Sequence, residues 1–188
     1  MSVFPKKYRI LKNNEFSSGN YKIIPIRYED RLAIMQWRNE QIYHLRQPSP
    51  LTEENQNNYY NSIVSKLFEQ DQPDQILFSY LENDQCIGYG GLVHINWTDK
   101  NAEISFVINT SLEREEFHKH GGIYLDLIEQ VAFLELGLHK IYVYAFDLRP
   151  HLYQAIEAKG YLKEAELKEH CYFNGGFKNV VIHSKIIK

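Results

Sequence analysis

The sequence predicts one α+β domain built on a mixed, mostly antiparallel sheet of about seven strands with helices on both faces. Its 188 residues are 44% apolar and 24% charged, which is typical of a single folded domain, expected here over residues 1–188. Apolar residues alternate in several segments and recur every three or four residues in others. Antiparallel hairpins come first and a β–α–β unit lies in the middle, an order typical of a mixed sheet.

The first third of the chain is predicted to form two short strands and two helices. Residues 8–11 and 21–27 are predicted strands, joined by a turn-rich stretch. Residues 28–39 indicate a first helix, because acidic residues stand at its start and apolar residues follow. A second helix is expected from an N-cap at Thr52 to about Phe68.

The rest of the chain alternates between segments with the two-residue period of a strand and segments with the three- to four-residue period of a helix. Residues 75–109 predict a three-stranded antiparallel meander, with the turn between its first two strands at Asn83 and Asp84. A long helix with one apolar face follows and ends at Gly137, a typical residue just beyond a helix C-terminus. Residues 139–146 predict an aromatic-rich strand, and a short helix then ends at Gly160. The last segment is a predicted hairpin with its turn at residues 174–176.

Charge and composition exclude several classes of partner. Lys and Arg number 21 against 24 Asp and Glu, whereas binding to a nucleic-acid backbone requires a basic surface. The N-terminal residues contain no apolar run of about seven residues, and no stretch approaches the roughly eighteen that a membrane span needs. Cys86 and Cys171 are interpreted as reduced side chains. We therefore expect a cytoplasmic protein without nucleic-acid or membrane partners, and a homodimer is compatible with the sequence.

The segment FHKHGGIYLDLIEQVAF, residues 117–133, is predicted to bind an anion. It joins the strand at residues 103–109 to a helix through a loop that ends in Gly121 and Gly122. Glycines let backbone N–H groups turn toward one point, and the helix N-terminus adds about half a positive charge. The alternative is that the glycines only form a tight turn into the helix. Neither a P-loop motif nor a dinucleotide-binding GxGxxG motif is present.

Three segments appear in a specific order: AEISFVIN, then HKHGGIYLDLIEQVAFLELGLHKIYVYAF, then AIEAKGYLKEAELKEHCYFNGGFKNVVIHSKI. With FLELGLHKI followed by EAKGY, they resemble the core of the GNAT family of acetyl-coenzyme A dependent N-acetyltransferases, in the branch that contains ribosomal-protein alanine and polyamine acetyltransferases. The WRNE at residues 37–40 additionally resembles GNAT enzymes that acetylate nucleotide-activated amino sugars. The resemblance implies a single-domain GNAT fold with acetyl-coenzyme A as co-substrate.

The resemblance also implies a donor site. Backbone N–H groups of residues 119–124 would bind the pyrophosphate, and the strand before the loop would splay from its neighbour and offer free backbone groups to the pantetheine arm. Many members carry a tyrosine that protonates the leaving thiolate where this chain has Ile156. Tyr153, one helical turn earlier, is the candidate acid, and protonation by water or another group is the alternative. The predicted donor-binding residues are Phe106, Val107, Ile108, His118, Lys119, His120, Gly121, Gly122, Ile123 and Tyr124.

Amide formation from a thioester requires a neutral amine and a hydrogen bond to the carbonyl oxygen. Glu103 and His94 are the candidate bases, although Glu103 is equally interpreted as a solvated edge residue and His94 as a structural histidine. A backbone N–H near Phe106 or Val107 would serve the carbonyl oxygen. No third ligand accompanies the His-x-His spacing of the loop, so we predict no metal.

The early helices are predicted to bind the acceptor. Trp37, Arg38 and Asn39 combine an aromatic face, a fixed cation and an amide, which suits a sugar nucleotide. The same region is extended by Tyr43, His44 and Arg46. The alternative is that Trp37 packs in the core and Arg38 forms a surface ion pair. The first hypothesis is N-acetylation of a small-molecule amine, best an amino sugar nucleotide. A protein N-terminal acetyltransferase and a non-catalytic acyl-coenzyme A binding module remain alternatives.

Overall fold

An eight-stranded sheet forms the centre of the molecule in a computed structural model that describes residues 4–187. The strand order is β1-β2-β3-β4-β5-β6-β8-β7, and the one parallel pair is β5 with β6. The predicted α+β class and mostly antiparallel sheet are confirmed, with one strand more than expected. The strands are β1 Phe16–Ser18, β2 Tyr21–Pro25, β3 Ile76–Glu82, β4 Gln85–Asn96, β5 Asn101–Ile108, β6 Lys140–Phe146, β7 Leu162–Phe173 and β8 Gly176–Ile186.

Six α-helices connect the strands, together with short 3-10 and π-helical segments. Thr52 caps α2 as predicted, since its hydroxyl accepts a 3.1 Å hydrogen bond from the Asn55 N–H. None of the helices within residues 4–187 has both the length and the apolar character needed to cross a membrane. The helices are α1 Arg31–Glu40, α2 Glu53–Tyr59, α3 Ser65–Leu67, α4 Thr110–Glu115, α5 Phe117–Glu129 and α6 Pro150–Glu157; π-helical segments follow α2 at Tyr60–Val64 and α5 at Gln130–Glu135.

The first predicted strand, residues 8–11, is wrong. Tyr8 is 1% exposed, stacks on Phe68 at 4.1 Å between ring centroids and exchanges 3.0 Å hydrogen bonds with the backbone of Leu77. This segment is therefore held by one aromatic side chain rather than by a strand ladder. The strand lies instead at β1, inside the stretch predicted to be only a turn.

The two predicted hairpin turns are confirmed. Asn83 and Asp84 have φ angles of 48° and 66°, and Asn174 and Gly175 have 51° and 78°. Two consecutive residues with positive φ are characteristic of the tight turn that suits the right-handed twist of paired strands. These turns fix the register of β3 with β4 and of β7 with β8.

Helices cover both faces of the sheet, as predicted. On one face the ring of Phe106 from β5 stacks on Tyr124 of α5 at 4.0 Å between centroids. On the other face the Tyr89 hydroxyl of β4 accepts a hydrogen bond from Arg38 of α1. Alternate residues of a strand face opposite sides of a sheet, so β5 presents Phe106 to α5 and Ser105 to the side of α1.

The parallel pairing of β5 with β6 is short. It covers residues 101–103 against residues 140–142, and beyond these pairs the two strands separate. On the other edge of β5, the ladder with β4 continues as far as Ile108. The C-terminal half of β5 therefore has hydrogen-bond partners on one edge only, and a gap opens in the sheet.

Candidate active site

A cavity of about 130 Å³ occupies the gap between β5 and β6. Phe117, Gly121 and Tyr124 line it from the α5 face, whereas Arg38, His44 and Arg46 line it from the opposite face. The cavity therefore passes through the sheet, and two reactants can approach it from opposite sides. We call it the gap cavity.

Backbone groups of β5 face the gap cavity at every second residue. The Asn109 N–H donates a 2.8 Å hydrogen bond to the Ile87 carbonyl of β4, so the alternation of an antiparallel ladder also directs the backbone groups of Val107 toward β4. Ile104, Phe106 and Ile108 then face the gap, but the Ile108 carbonyl already accepts 2.7 Å from Gln41 Nε2. The backbone groups of Val107 are thus used within the sheet, although Val107 itself lines the gap cavity, and of Ile108 only the carbonyl is committed. All three residues, Phe106, Val107 and Ile108, stay predicted donor-binding residues.

The predicted glycine loop is part of a helix. α5 begins at Phe117, directly after α4, and the His120 N–H donates a 3.1 Å hydrogen bond to the Glu116 carbonyl. Backbone N–H groups from residue 120 onward are therefore used within the helix, and the unpaired N–H groups of this helix end are those of residues 117–119. The predicted pyrophosphate site on residues 119–124 is corrected accordingly.

The side chains of this segment also differ from the prediction. His120 is 1% exposed, and its ring lies 3.2 Å from the Tyr80 hydroxyl, so it packs against the sheet and is not open to a phosphate. Lys119 pairs with Glu116 at 2.9 Å, which places a carboxylate where an anion would bind. His118 is exposed and Ile123 is half-buried, and neither lines the gap cavity.

The two glycines allow close packing of α5. A Cβ atom on Gly121 would lie 3.3 Å from the ring of Phe117, and one on Gly122 would lie 3.0 Å from Lys159 Cε of the segment after α6. Gly121 and Tyr124 line the gap cavity and Gly122 does not. Of the predicted residues of this helix, Gly121 and Tyr124 thus remain candidates for contact with the donor.

We expect Gly121→Val to raise the KM for acetyl-coenzyme A at least about tenfold, because the new side chain forces the Phe117 ring toward the gap cavity and itself takes space there. Steady-state kinetics with circular dichroism as a check on folding measures this. Gly122→Ala is the matched control, since its added methyl meets the flexible end of Lys159 and leaves KM unchanged. An unchanged KM in Gly121→Val contradicts the assignment of the cavity to the donor.

The two candidate bases lie side by side. Glu103 is 6% exposed and lines the gap cavity, and its carboxylate accepts a hydrogen bond from Arg46 and lies 3.9 Å from His94 Nε2. Burial raises the pKa of Glu103 above its ordinary value, although the charges of Arg46 and His94 oppose this. The His94 side chain is 65% exposed, so the pair connects the cavity with solvent.

The predicted acid, Tyr153, is wrong. Its hydroxyl lies 3.2 Å from Asp147 Oδ1 and 3.4 Å from the Phe146 carbonyl, and its ring stacks on His183. Ile156, three residues later on α6, lines the gap cavity. A step of three residues rotates a helix position by about 60° from alignment, enough to place Tyr153 against β8 rather than in the gap.

Sequence reasoning missed Tyr144, which lines the gap cavity together with the predicted Arg46. The Arg46 guanidinium lies 4.6 Å from the centre of the Tyr144 ring. Burial, with Cys171 nearby, raises the pKa of Tyr144 to about 12, so the phenol stays protonated at neutral pH. The alternation of the KIYVYAF strand was the available signal, because it sets Tyr144 and Tyr142 on one face.

Two of the predicted acceptor-binding residues, Trp37 and Asn39, serve the fold. Trp37 is 7% exposed within the hydrophobic core. The Asn39 amide accepts from the Leu51 N–H at 2.7 Å, donates to the Leu51 carbonyl at 2.9 Å and accepts from Gln47 at 3.0 Å. Both predictions are corrected, because the Trp37 ring is enclosed in the core and the Asn39 amide is used in hydrogen bonds within the protein. Arg38 and His44 do line the gap cavity.

His44 offers one free acceptor. Gln41 Nε2 donates to the Ile108 carbonyl, so Gln41 Oε1 is the acceptor of the 3.3 Å contact with His44 Nε2, which carries the proton. His44 Nδ1 is buried and has no protein partner among residues 4–187. Burial, and then the charge of Arg149, lower the pKa of His44 to about 3. The neutral ring can therefore accept a hydrogen bond from a ligand N–H.

Comparison with protein families gives one match, to the acetyltransferase (GNAT) domain, over residues 23–180. The chain belongs to the GNAT family. This GNAT enzyme is an acetyl-coenzyme A dependent N-acetyltransferase, as the resemblance of its central segments implied. No curated protein sequence matches the chain.

Solved structures share the GNAT fold over most of the chain. A spermidine N-acetyltransferase from Vibrio cholerae in complex with CoA and spermine superposes with a TM-score of 0.76 at 19% identity, covering 90% of this chain and 96% of that one. A dodecameric form of spermidine N-acetyltransferase from the same organism gives 0.73 at 20% identity, over 90% and 95%. A putative acetyltransferase gives 0.68 at 16% identity, over 99% and 89%.

Proposed function

We propose that this GNAT enzyme transfers the acetyl group of acetyl-coenzyme A to a primary amine of a small molecule, with Glu103 as the base that takes the proton from the amine. The observation that carries the proposal is the position of Glu103, a buried carboxylate with a raised pKa in a cavity that passes through the sheet. A raised pKa brings a carboxylate nearer to the operating range of a general base.

The donor side of the proposal depends on β5. When bound, acetyl-coenzyme A supplies an acetyl group activated as a thioester. The Ile104 carbonyl and the backbone N–H and carbonyl of Phe106 would bind the amide groups of its pantetheine arm, in the way that a neighbouring strand would pair with them. A backbone N–H directed into this narrow cavity would also donate a hydrogen bond to the carbonyl oxygen of the thioester. Such a donor stabilises the negative charge that develops on the oxygen, because it is already in position in a low-dielectric site.

The proton from the amine has a path to solvent. Glu103 faces the cavity, and His94 stands 3.9 Å away on the exposed side. The carboxylate would pass the proton to the imidazole, which exchanges it with water. Arg46 holds the carboxylate from the other side and keeps it oriented toward the cavity. Tyr144, the protonated phenol in the lining, is the candidate donor of a proton to the leaving thiolate.

The acceptor is proposed to be a small molecule because the gap cavity holds about 130 Å³. The similar structures named above include enzymes that by their names act on spermidine, whereas the amino sugar nucleotide expected from WRNE receives no support from the comparisons. A protein N-terminal amine would require a wider groove. A non-catalytic module would not require a buried carboxylate at the gap.

Release of coenzyme A thiol, measured with a panel of amines, tests the function. We expect turnover with at least one small-molecule amine. Turnover with peptides alone would favour a protein acceptor, and retained binding of acetyl-coenzyme A without turnover of any amine would favour a binding module.

A further inference from the structure

Arg38 is a half-buried arginine without a carboxylate. Its Nε donates to Gln47 Oε1 at 3.0 Å, and its Nη1 donates to the Tyr89 hydroxyl. Both partners are neutral, and no Asp or Glu of residues 4–187 lies within 4 Å of its guanidinium. A charge removed from water requires an opposite charge nearby, so Arg38 is equipped to bind an anion that is not part of the protein.

The other arginines of the gap cavity already have carboxylate partners. Arg46 is bonded to Glu103, and Arg149 lies 3.5 Å from the buried Glu113. The remaining uncompensated charge of the lining is therefore that of Arg38.

Arg38 also lines a second cavity, which we call the α-side cavity. It holds about 360 Å³ between α1, α2, β3 and β4, and Arg38 and Ser105 belong to the lining of both cavities. A molecule in the α-side cavity can therefore reach the gap cavity at the point where these two residues stand.

The lining of the α-side cavity contains no carboxylate among the residues that the structure describes. It consists of phenols, amides and apolar groups, with Arg38 as its charged residue. The Tyr60 hydroxyl of this lining is buried and has no hydrogen-bond partner within residues 4–187. A guanidinium and an unused hydroxyl are groups that bind phosphate or carboxylate oxygens, whereas a polyamine requires carboxylates.

We propose that the acceptor amine carries an anionic group, a phosphate or a carboxylate, which Arg38 binds in the α-side cavity while the amine reaches Glu103 beside Ser105. This inference rests on the proposed N-acetyltransferase function and names its acceptor class. Gln47 and Tyr89 hold the guanidinium in position, and the Tyr60 hydroxyl donates a second hydrogen bond to the anion. Cationic polyamines are thereby excluded as preferred acceptors.

Matched pairs of amines test the proposal through thiol release. Glucosamine 6-phosphate is compared with glucosamine, β-alanine with its amide, and spermidine is included as a polycation. We expect at least one anionic member to exceed its neutral partner in kcat/KM about tenfold or more, the value of one charged hydrogen bond. The phosphate and carboxylate pairs distinguish the two anions. A preference for spermidine or for the neutral partners overturns the inference and leaves the acetyltransferase function intact.

Variants assign the preference to Arg38. Arg38→Gln is expected to reduce the ratio of kcat/KM for the anionic amine to that for its neutral partner to about one, and Arg38→Lys should restore part of this ratio. Arg31→Gln is the matched control, because Arg31 lies on the same helix, bonds to the Tyr28 carbonyl at 3.2 Å and lines neither cavity. A preference that survives in Arg38→Gln contradicts the assignment.

A binding measurement decides the case in which no member of the panel is turned over. Inorganic phosphate is titrated while the Nε–Hε NMR signal of Arg38, identified by its loss in Arg38→Gln, is followed. We expect a saturable shift in the wild type, reduced in Tyr60→Phe. A signal that does not respond to phosphate overturns the inference, while binding of acetyl-coenzyme A without any turnover counts against the proposed function instead.

Discussion

Glu103→Gln is expected to lower kcat for acetyl transfer about 100-fold or more at neutral pH, because the amide cannot take the proton from the amine. The side chains have nearly the same shape, and the amide oxygen of glutamine can still accept a hydrogen bond from Arg46. We therefore expect the KM for acetyl-coenzyme A to change little. Thiol release under saturating donor measures the loss.

The pH profile provides the control for this variant. Burial raises the pKa of Glu103, and the carboxylate acts only when it is ionised. Activity of the wild type therefore falls as the pH drops through this raised pKa and is retained above it. Glu103→Gln should lose that acid limb together with the rate. A variant that keeps wild-type kcat, or keeps the same acid limb, would show that another group is the base.

Gly90→Ala is expected to cost the fold about 3 kcal/mol of unfolding free energy, the upper part of the usual cost of overpacking. A Cβ at this position would clash with the Ser105 carbonyl and would lie 2.5 Å from the Tyr124 hydroxyl and 2.9 Å from Phe106 Cα. Two of these neighbours are backbone atoms of the adjacent strand and cannot rotate away. For a chain of this length the loss corresponds to a fall in Tm of roughly 10 °C.

Thermal or urea denaturation measures this change. Gly176→Ala is the matched control, because it also replaces a strand glycine but no atom lies within 4 Å of the added methyl. We expect its Tm to stay near that of the wild type. Equal stability of the two variants would mean that β4 and β5 are not packed as closely at Gly90 as described.

The fold was largely predictable because its turns and periodicities are local signals. The residues of the two tight hairpin turns adopt positive φ, which specifies this turn without reference to the rest of the molecule. Tyr8 was not predictable in the same way. An extended segment that is held by one buried phenol has the same local pattern as a short strand, and only the position of Leu77 across the chain distinguishes them.

The site was less predictable because its features depend on packing between elements. A pair of glycines that forms an anion-binding loop looks the same in sequence as a pair that lets the Phe117 ring pack closely against its own helix. The choice between Tyr153 and Ile156 depends on how α6 is rotated against β8, which no single helix determines. Glu103 and His94 were found together because they lie on adjacent strands of one predicted meander, whereas the contact of Arg46 with Glu103 joins distant segments of the chain and was not predicted.

The separation of β5 from β6 has a consequence for how donor recognition is encoded. In the proposed donor site, main-chain amides along that edge would recognise the ligand at the fixed repeat of an extended chain, about 3.3 Å per residue. A ligand that presents peptide-like groups at a similar interval can lie there as a temporary extra strand. Substitutions among the lining side chains then alter how tightly such a ligand fits, but they do not remove the template against which it aligns.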